Sequence, residues 1–316
     1  MASFPSLLES IDDLALEQIK LLVSRAKHFK SNNNHSPLKI SPKPIIATLF
    51  LENSTRTKHS FAIAAERLNI MHIDFDAETS SIKKGETLED TFLTLFHQGV
   101  NLCVLRSSVN EQLGDFKAHL PIKLINGGDG TNEHPTQALL DLFTLLELSE
   151  DNLQGKTIAI IGDINHSRVA RSLVKILSLY EMKIIFCGPE KYLPNNNSRH
   201  ISLSQSRDES IQKADFIYLL RVQNERHIKT VESDTDQYIK QFGVSLQLLK
   251  SLDKKVPVLH PGPANIGVEI DNELIKSSLY QGHLQVQNSV PMRMAIIEAM
   301  LLNNDQNIGK IHGEKF

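Results

Sequence analysis

Short apolar segments alternate with amphipathic ones along the chain, and the alternation starts afresh near its middle. Together with the length of 316 residues, this predicts an α/β protein of two doubly wound parallel-sheet domains joined by interdomain helices. The apolar runs Ile45–Leu51 and Thr157–Ile161 are too short for helices and lack the polar alternation of a half-exposed strand, so they read as strands buried on both faces.

The elements follow in order. Leu14, Ile19, Leu22, Val23, Ala26 and Phe29 recur at helical spacing and predict a first amphipathic helix. The polar stretch Asn32–Pro44, with prolines near its end, predicts a loop before the strand Ile45–Leu51. Ser54 then has the character of a helix N-cap, with Phe61, Ala64, Ala65 and Leu68 on one face behind it. Strands are expected at Ile70–Phe75, Asn101–Leu105 and Ile122–Ile125, a polar loop at Ala77–Gly85, and a helix from about Glu86 to His97. The second half repeats the pattern with strands at Thr157–Ile161, Lys183–Cys187, Asp215–Leu220 and Val256–His260 and a helix over Ser167–Leu179. A helix from Gln137 to Leu148 is expected to bridge the halves, and a final apolar helix from Pro291 to Asn303 to pack back. The expected division is residues 1–140, with 290–316 packed back on them, against residues 141–289.

Composition narrows the function classes. A net charge of −3 argues against a nucleic-acid binder, which would carry a basic stripe. The two cysteines, Cys103 and Cys187, lie far apart in apolar runs. That is the setting of buried, reduced thiols in a cytoplasmic protein rather than of disulfides or a zinc site. Met1–Ser10 lacks a basic region followed by a long apolar one, so no secretion signal is expected, and no run approaches the ~18 apolar residues of a membrane span.

In open parallel sheets, ligands bind at the carboxyl ends of strands, and polar clusters fall there. Glu52-Asn53-Ser54-Thr55-Arg56-Thr57 follows a strand and opens a helix. Hydroxyls, backbone N–H groups and a guanidinium at a helix N-terminus suit a phosphate dianion, although the same residues also describe a well-capped helix with a surface arginine. Arg106 follows the next strand, as a ligand clamp or as an ordinary surface charge. Gly127-Gly128-Asp129-Gly130 precedes His134-Pro135-Thr136-Gln137. There the glycines read as a turn allowing close backbone approach, His134 as a donor to a carbonyl oxygen or a packed histidine, and Gln137 as a partner for an amide. In the second half Arg168 follows Gly162-Asp163, Arg221 and Gln223 follow a strand, and so does His260-Pro261-Gly262-Pro263. Prolines cannot donate N–H groups, so this turn offers carbonyls to a ligand amine, or is simply a rigid corner that can contain a cis bond. Lys83-Lys84 lies in the polar loop, as a solvated basic pair or as part of a lid.

Phe50-Leu51-Glu52-Asn53-Ser54-Thr55-Arg56-Thr57 resembles the phosphate-binding signature of the aspartate and ornithine carbamoyltransferases, and His134-Pro135-Thr136-Gln137-Ala138-Leu139-Leu140-Asp141 resembles their second signature. The resemblance runs from the first helix to the last in the same order. Ornithine enzymes usually carry a cysteine in a His-Cys-Leu-Pro turn and a Ser-Met-Gly loop. Here the turn is His260-Pro261-Gly262-Pro263, and Ser80–Glu86 with Lys84, Arg221–Arg226 and Gly162–Ser172 are similar to the aspartate type. Glycine in the middle of the Pro-Gly-Pro turn departs from the commoner leucine or alanine.

The resemblance implies carbamoyl phosphate and L-aspartate as substrates, in the committed step of pyrimidine biosynthesis; ornithine or another amine is the alternative acceptor. It implies no cofactor and no metal. Ser54, Thr55, Arg56 and Thr57 would bind the phosphate. Arg106 and His134, with Arg56 and Thr57, would act on the carbamoyl group. Gln137, Pro261 and Gly262 would hold its amine, and Arg168, Arg221, Gln223 and Lys84 the aspartate. It further implies a homotrimer in which Ser80 and Lys84 reach a neighbouring subunit's site. A higher assembly with a regulatory chain or a dihydroorotase is left open, although Gly162–Ser172 resembles chains that work without a regulatory partner.

Overall fold

The computed structural model describes residues 4–32, 37–116, 120–195, 200–222 and 232–302. By its internal contacts the chain falls into two compact units, Met1–Phe143 with Val286–Phe316, and Thr144–Gln285.

The first half contributes β1 (Leu7–Leu8), α1 (Leu16–Ser31), β2 (Ile45–Phe50), α2 (Thr55–Arg67), β3 (Met71–Phe75), α3 (Leu88–His97), β4 (Leu102–Ser107), β5 (Lys123–Asp129) and α4 (Pro135–Leu148). The second contributes β6 (Thr157–Ile161), α5 (Arg168–Leu179), β7 (Lys183–Cys187), β8 (Ile201–Ser204), α6 (Arg207–Lys213), β9 (Phe216–Leu219), α7 (Glu232–Phe242), α8 (Leu246–Ser251), β10 (Val258–Leu259), α9 (Asn272–Lys276) and α10 (Gly282–Leu301). No helix among the described residues is long and apolar enough to cross a membrane.

Each unit holds a five-stranded sheet, ordered β1-β5-β4-β2-β3 in the first and β10-β9-β6-β7-β8 in the second, and every strand pair is parallel. The predicted α/β class of two doubly wound parallel sheets is the one observed. In the first sheet the chain moves outward from β2 to β3 and then returns to the other side of β2 as β4. In the second it moves from β6 to β7 and β8 and returns as β9. The order therefore reverses between β2 and β4 and between β6 and β9, which are the positions where a crevice opens at the strands' carboxyl ends.

The central strands β2 and β4 are apolar because both of their faces are covered. Ala47 and Leu49 of β2 and Cys103 and Leu105 of β4 pack on Phe92 and Leu95 of α3, while Ile46, Leu102 and Val104 are equally buried on the opposite face. Cys103 and Cys187 are free and buried. Burial pushes the first thiol up to about 12 and the second up to about 11, so neither is a thiolate at neutral pH.

Several boundaries differ from expectation. Arg106 lies inside β4 rather than beyond it, and Gly127 and Gly128 belong to β5 rather than to a turn. A Cβ on Gly127 would come within 3.1 Å of the Leu105 carbonyl oxygen, so glycine there serves close strand approach. The segment Ala77–Gly85 forms two short 3-10 turns, Ala77–Thr79 and Ser81–Lys84. The last helix starts at Gly282, with Pro291 inside it. A proline removes one backbone bond there, and the buried residues from Met292 to Met300 hold the helix through it. The strand β8 and the helices α6 to α9 had no strong periodic signal. β8 has two apolar residues, one of them 45% exposed Leu203, and α6, α8 and α9 are set by the caps Ser206, Ser245 and Asp271.

Within the first unit α10 is tied to α1 by a buried ion pair. Arg25 Nε and Nη2 donate to the two carboxylate oxygens of Glu298 at 2.8 and 2.9 Å. Lys30 Nζ donates to Asn288 Oδ1 at 2.7 Å one turn further on. Removing one partner strands the other charge in the interior, so Glu298→Ala is expected to lower stability by about 3–5 kcal/mol; urea unfolding monitored by circular dichroism measures it.

Candidate active site

In the first unit, β2 and β4 pair in register with Phe50 opposite Arg106, and Leu51 N–H donates to the Arg106 carbonyl at 2.9 Å. This places Arg106 beside the segment that opens α2. The Ser54 side chain caps that helix by accepting from Thr57 N–H at 3.3 Å, and the first turn carries no acidic residue. Thr55 and Arg56 are exposed and Thr57 is buried. A positive helix end with no acidic side chain in its first turn is suited to holding an anion.

Arg106 Nη1 donates to the Gly127 carbonyl at 3.2 Å, and its Nε is 3.5 Å from Glu52 Oε2, an ion-pair contact rather than a hydrogen bond. The carboxylate and the carbonyl hold the guanidinium plane still. His134, just before α4, is buried and lies 3.3 Å from Thr57 Oγ1 through Nε2 and 3.4 Å from Thr136 Oγ1 through Nδ1. The sequence-predicted Thr57 and His134 are thus neighbours, although 77 positions separate them.

His134 is carried on a braced loop. Asp129 Oδ1 accepts from Glu133 N–H and from Asn126 Nδ2, both at 2.9 Å. Glu133 accepts from Ser10 Oγ at 2.6 Å and Ile11 N–H at 3.2 Å. Gln137 donates through Nε2 to Asp141 Oδ1 at 3.0 Å. A carboxylate can only accept, so this bond orients the amide and turns Gln137 Oε1 into the available acceptor. Asp141 also opposes the buried Arg293 of α10, whose guanidinium lies 5.0 Å above the Phe61 ring of α2. Burial pulls that group down to about 9, Asp141 works the other way, and Arg106 adds to the depression. The guanidinium remains charged at neutral pH.

Ser80 caps its 3-10 turn by accepting from Ile82 N–H at 3.3 Å and donates to the Ala77 carbonyl at 2.9 Å. Lys84 is exposed. Among the described residues no hydrogen bond or ion pair joins either of them to the Ser54–Thr57 cluster, Arg106 or His134.

In the second unit the corresponding reversal lies between β6 and β9. Gly162 follows β6 with φ +137°, and a Cβ there would meet the Leu220 carbonyl oxygen at 2.8 Å. Asp163, fully buried, accepts from His166 Nδ1 at 2.8 Å. Ser167 caps α5 by accepting from Ala170 N–H at 3.1 Å, and Arg168 is the first helical residue, half-buried. Arg221, past β9, donates from Nε to Asn265 Oδ1 at 3.3 Å. Gln223 lies outside the described residues. After β10 the turn Pro261-Gly262-Pro263 has a cis Gly262–Pro263 bond, with Gly262 at φ +67°, a conformation that favours glycine. Gly262 N–H is spent on His260 Nδ1 at 2.8 Å, so the turn offers carbonyls.

Glu52 and Asp141 fall inside the two signatures but were given no role there, and Asn265 and Glu269 lie outside any motif. Only a helical i, i+4 spacing linked Gln137 to Asp141; the others meet their partners solely through the fold.

A doubly wound protein with cations and hydroxyls gathered at the switch point of each sheet is one built to handle small anions, and its relatives narrow the class. Residues 7–147 match the family model described as aspartate/ornithine carbamoyltransferase, carbamoyl-P binding domain. Residues 154–300 match the one described as aspartate/ornithine carbamoyltransferase, Asp/Orn binding domain. The chain belongs to the aspartate/ornithine carbamoyltransferase family. It is 42% identical over 300 residues, 94% of this chain and 96% of the relative, to the aspartate carbamoyltransferase catalytic subunit of Malacoplasma penetrans (strain HF-2). Among solved structures it is similar to the catalytic subunit of M. jannaschii aspartate transcarbamoylase, with TM-score 0.84 and 30% identity over 96% of this chain and 100% of that one. It is also similar to the Trypanosoma cruzi aspartate transcarbamoylase in complex with N-(phosphonacetyl)-L-aspartic acid, with TM-score 0.82 and 28% identity over 94% and 96% of the two chains.

Asp141→Ala would free the Gln137 amide and leave Arg293 buried without its opposing carboxylate. The expected cost is about 3–5 kcal/mol, against about 1 kcal/mol for loss of the helix cap in Ser54→Ala. Chemical denaturation of the two variants measures the difference.

Proposed function

We propose that this protein transfers the carbamoyl group of carbamoyl phosphate to L-aspartate, yielding N-carbamoyl-L-aspartate and phosphate in the committed step of pyrimidine biosynthesis. The observation that carries this reading is the grouping of Ser54–Thr57, Arg106 and His134 at one sheet's switch point, held by the Thr57–His134 contact and the β2–β4 register. The aspartate acceptor is supported by relatives that carry that name.

The roles follow from charge and geometry. The start of α2 presents N–H groups, the hydroxyls of Ser54, Thr55 and Thr57, and the Arg56 guanidinium to the phosphate. Arg106, Thr57 and His134 donate to the carbamoyl oxygen and stabilise the charge that grows on it, an effect worth about 3 kcal/mol per donor. Gln137 Oε1 accepts from the carbamoyl NH2, and the carbonyls of Pro261 and Gly262 are assigned the same amine. Arg168, Arg221, Gln223 and Lys84 are assigned the aspartate carboxylates, which the arginine fork fits. The aspartate amine attacks the carbonyl carbon, a tetrahedral intermediate forms, and its bond to the phosphate oxygen breaks. The departing phosphate takes up the amine proton. Orientation and fixed dipoles supply the acceleration, with no protein nucleophile.

In this reading the first unit handles carbamoyl phosphate and the second the amino acid. The working unit is a cytoplasmic homotrimer in which Ser80 and Lys84 serve a neighbouring subunit. Their lack of bonds to the cradle of their own chain is consistent with that role.

Supplying aspartate and ornithine separately with carbamoyl phosphate tests the acceptor; turnover confined to ornithine would overturn it. Arg106→Ala and His134→Ala are each expected to lower kcat by about 100- to 1,000-fold. Arg221→Ala is expected to raise the KM for aspartate by about 10- to 100-fold while inhibition by inorganic phosphate is kept, because a charge-assisted hydrogen bond is lost. Co-assembled Arg56→Ala and Lys84→Ala chains should regain activity that neither has alone; verified hybrids without activity would rule out the shared site.

A further inference from the structure

Glu269 is a carboxylate that the roles above do not use. It is 1% exposed, in the segment between β10 and α9. Its Oε1 accepts from Asn265 N–H at 2.6 Å and is 3.2 Å from His260 Nε2. The backbone N–H of Gly262 can only donate, and it donates to His260 Nδ1 at 2.8 Å. Nδ1 is therefore bare, Nε2 carries the ring proton, and that proton is donated to Glu269. His260 is itself 2% exposed, so the ring has one setting. On its other branch, Asn265 donates through Nδ2 to the Val222 carbonyl at 3.1 Å and accepts from Arg221 Nε through Oδ1 at 3.3 Å.

We propose that Glu269 is a positioning residue of the second unit: one buried carboxylate oxygen that sets the Pro261–Gly262–Pro263 turn through His260 and the Arg221 guanidinium through Asn265. The proposal rests on the assignment of the turn to the carbamoyl amine and of Arg221 to aspartate. Two groups from different strand ends, β9 and β10, are thereby held to a single acceptor.

The arrangement is not one that stability alone explains. Burying a carboxylate is costly unless its lone pairs are satisfied, yet Oε2 of Glu269 has no hydrogen-bond partner among the described residues, and neither does the buried phenol oxygen of Tyr238. Both donors are concentrated on Oε1. The device needs an acceptor at that point rather than a charge. A glutamine would supply the same oxygen and put an NH2 where Oε2 has no partner. An alanine would release both branches.

The test compares Glu269→Gln, Glu269→Ala and Asn265→Ala in steady-state kinetics, with inorganic phosphate as the probe of the first unit. Glu269→Gln is expected to keep kcat and the aspartate KM within about 3-fold of the native protein. Glu269→Ala should lower kcat and raise the aspartate KM, each by about 10-fold or more, since misplacement of a binding group by about 1 Å costs up to about 100-fold. Asn265→Ala should raise the aspartate KM with little change in kcat, because it cuts only the Arg221 branch. In all three, phosphate inhibition should stay within about 2-fold of native, which a general loss of fold would not allow. Native kinetics in Glu269→Ala, impairment of Glu269→Gln equal to that of Glu269→Ala, or parallel loss of phosphate inhibition would each overturn the proposal. Should Glu269→Ala fail to fold, the glutamine and Asn265 variants still decide it. An unchanged aspartate KM in Arg221→Ala would instead remove the assignment on which it rests; a raised one, with Asn265→Ala and Glu269→Ala both native, defeats the positioning role alone.

Discussion

The parallel pairing of β2 with β4 is the constraint on which the candidate site depends. Because the chain leaves β2 on one side and returns as β4 on the other, the segments after the two strands diverge to opposite faces and leave a gap between them. The register puts Arg106 opposite Phe50, and the Leu51–Arg106 backbone bond extends the pairing past the end of β2. The start of α2 and the Arg106 guanidinium then have to be neighbours. The second sheet repeats the construction between β6 and β9, with Arg168 and Arg221 past the paired ends. Topology, before any side chain is chosen, determines where anions can be met by several donors at once.

Side chains are then held in place by carboxylates, buried in every case but the half-buried Glu52. Asp141 fixes the Gln137 amide, Glu52 and the Gly127 carbonyl restrain Arg106, Asp129 and Glu133 brace the loop before His134, and Asp163 holds His166. A carboxylate accepts only, so a donor bound to it has one orientation. Each such group costs desolvation, and each constrains a group that faces ligand in the proposed reaction or lies within a few residues of one. Preorganisation of this kind is what transition-state stabilisation by fixed dipoles requires.

Much was legible beforehand. Ile45–Phe50 and Thr157–Ile161 announced themselves as strands because burial on both faces demands continuous apolar residues, and Ser54 announced a helix because an N-cap needs a side-chain acceptor. The edge strand β8 and the short helices α6, α8 and α9 did not, since a half-exposed edge and a helix of one to two turns carry too few apolar residues to show a period. Arg106 and Gly127–Gly128 were placed just outside strands that in fact contain them, because strand ends at a ligand crevice are polar and break the apolar pattern that marks a strand. The last helix was begun at its proline for the opposite reason: proline ordinarily starts a helix, whereas Pro291 is carried inside α10 by burial on its far side.

The amino-acid sequence by itself determined the α/β class, the two sheets, the helix that opens at Ser54, the inventory of cations and hydroxyls, and the family, since the two signatures are local and contiguous. Tertiary structure alone decided which of those groups meet: that Thr57 lies on His134, that Gln137 gives its NH2 to Asp141, that His260 carries its proton on Nε2, and that Glu269 answers to two strand ends. The reason is physical. Apolar periodicity and capping are short-range effects written in consecutive residues, whereas a buried carboxylate's partners are set by strand register and sheet order, which bring together residues far apart in the chain.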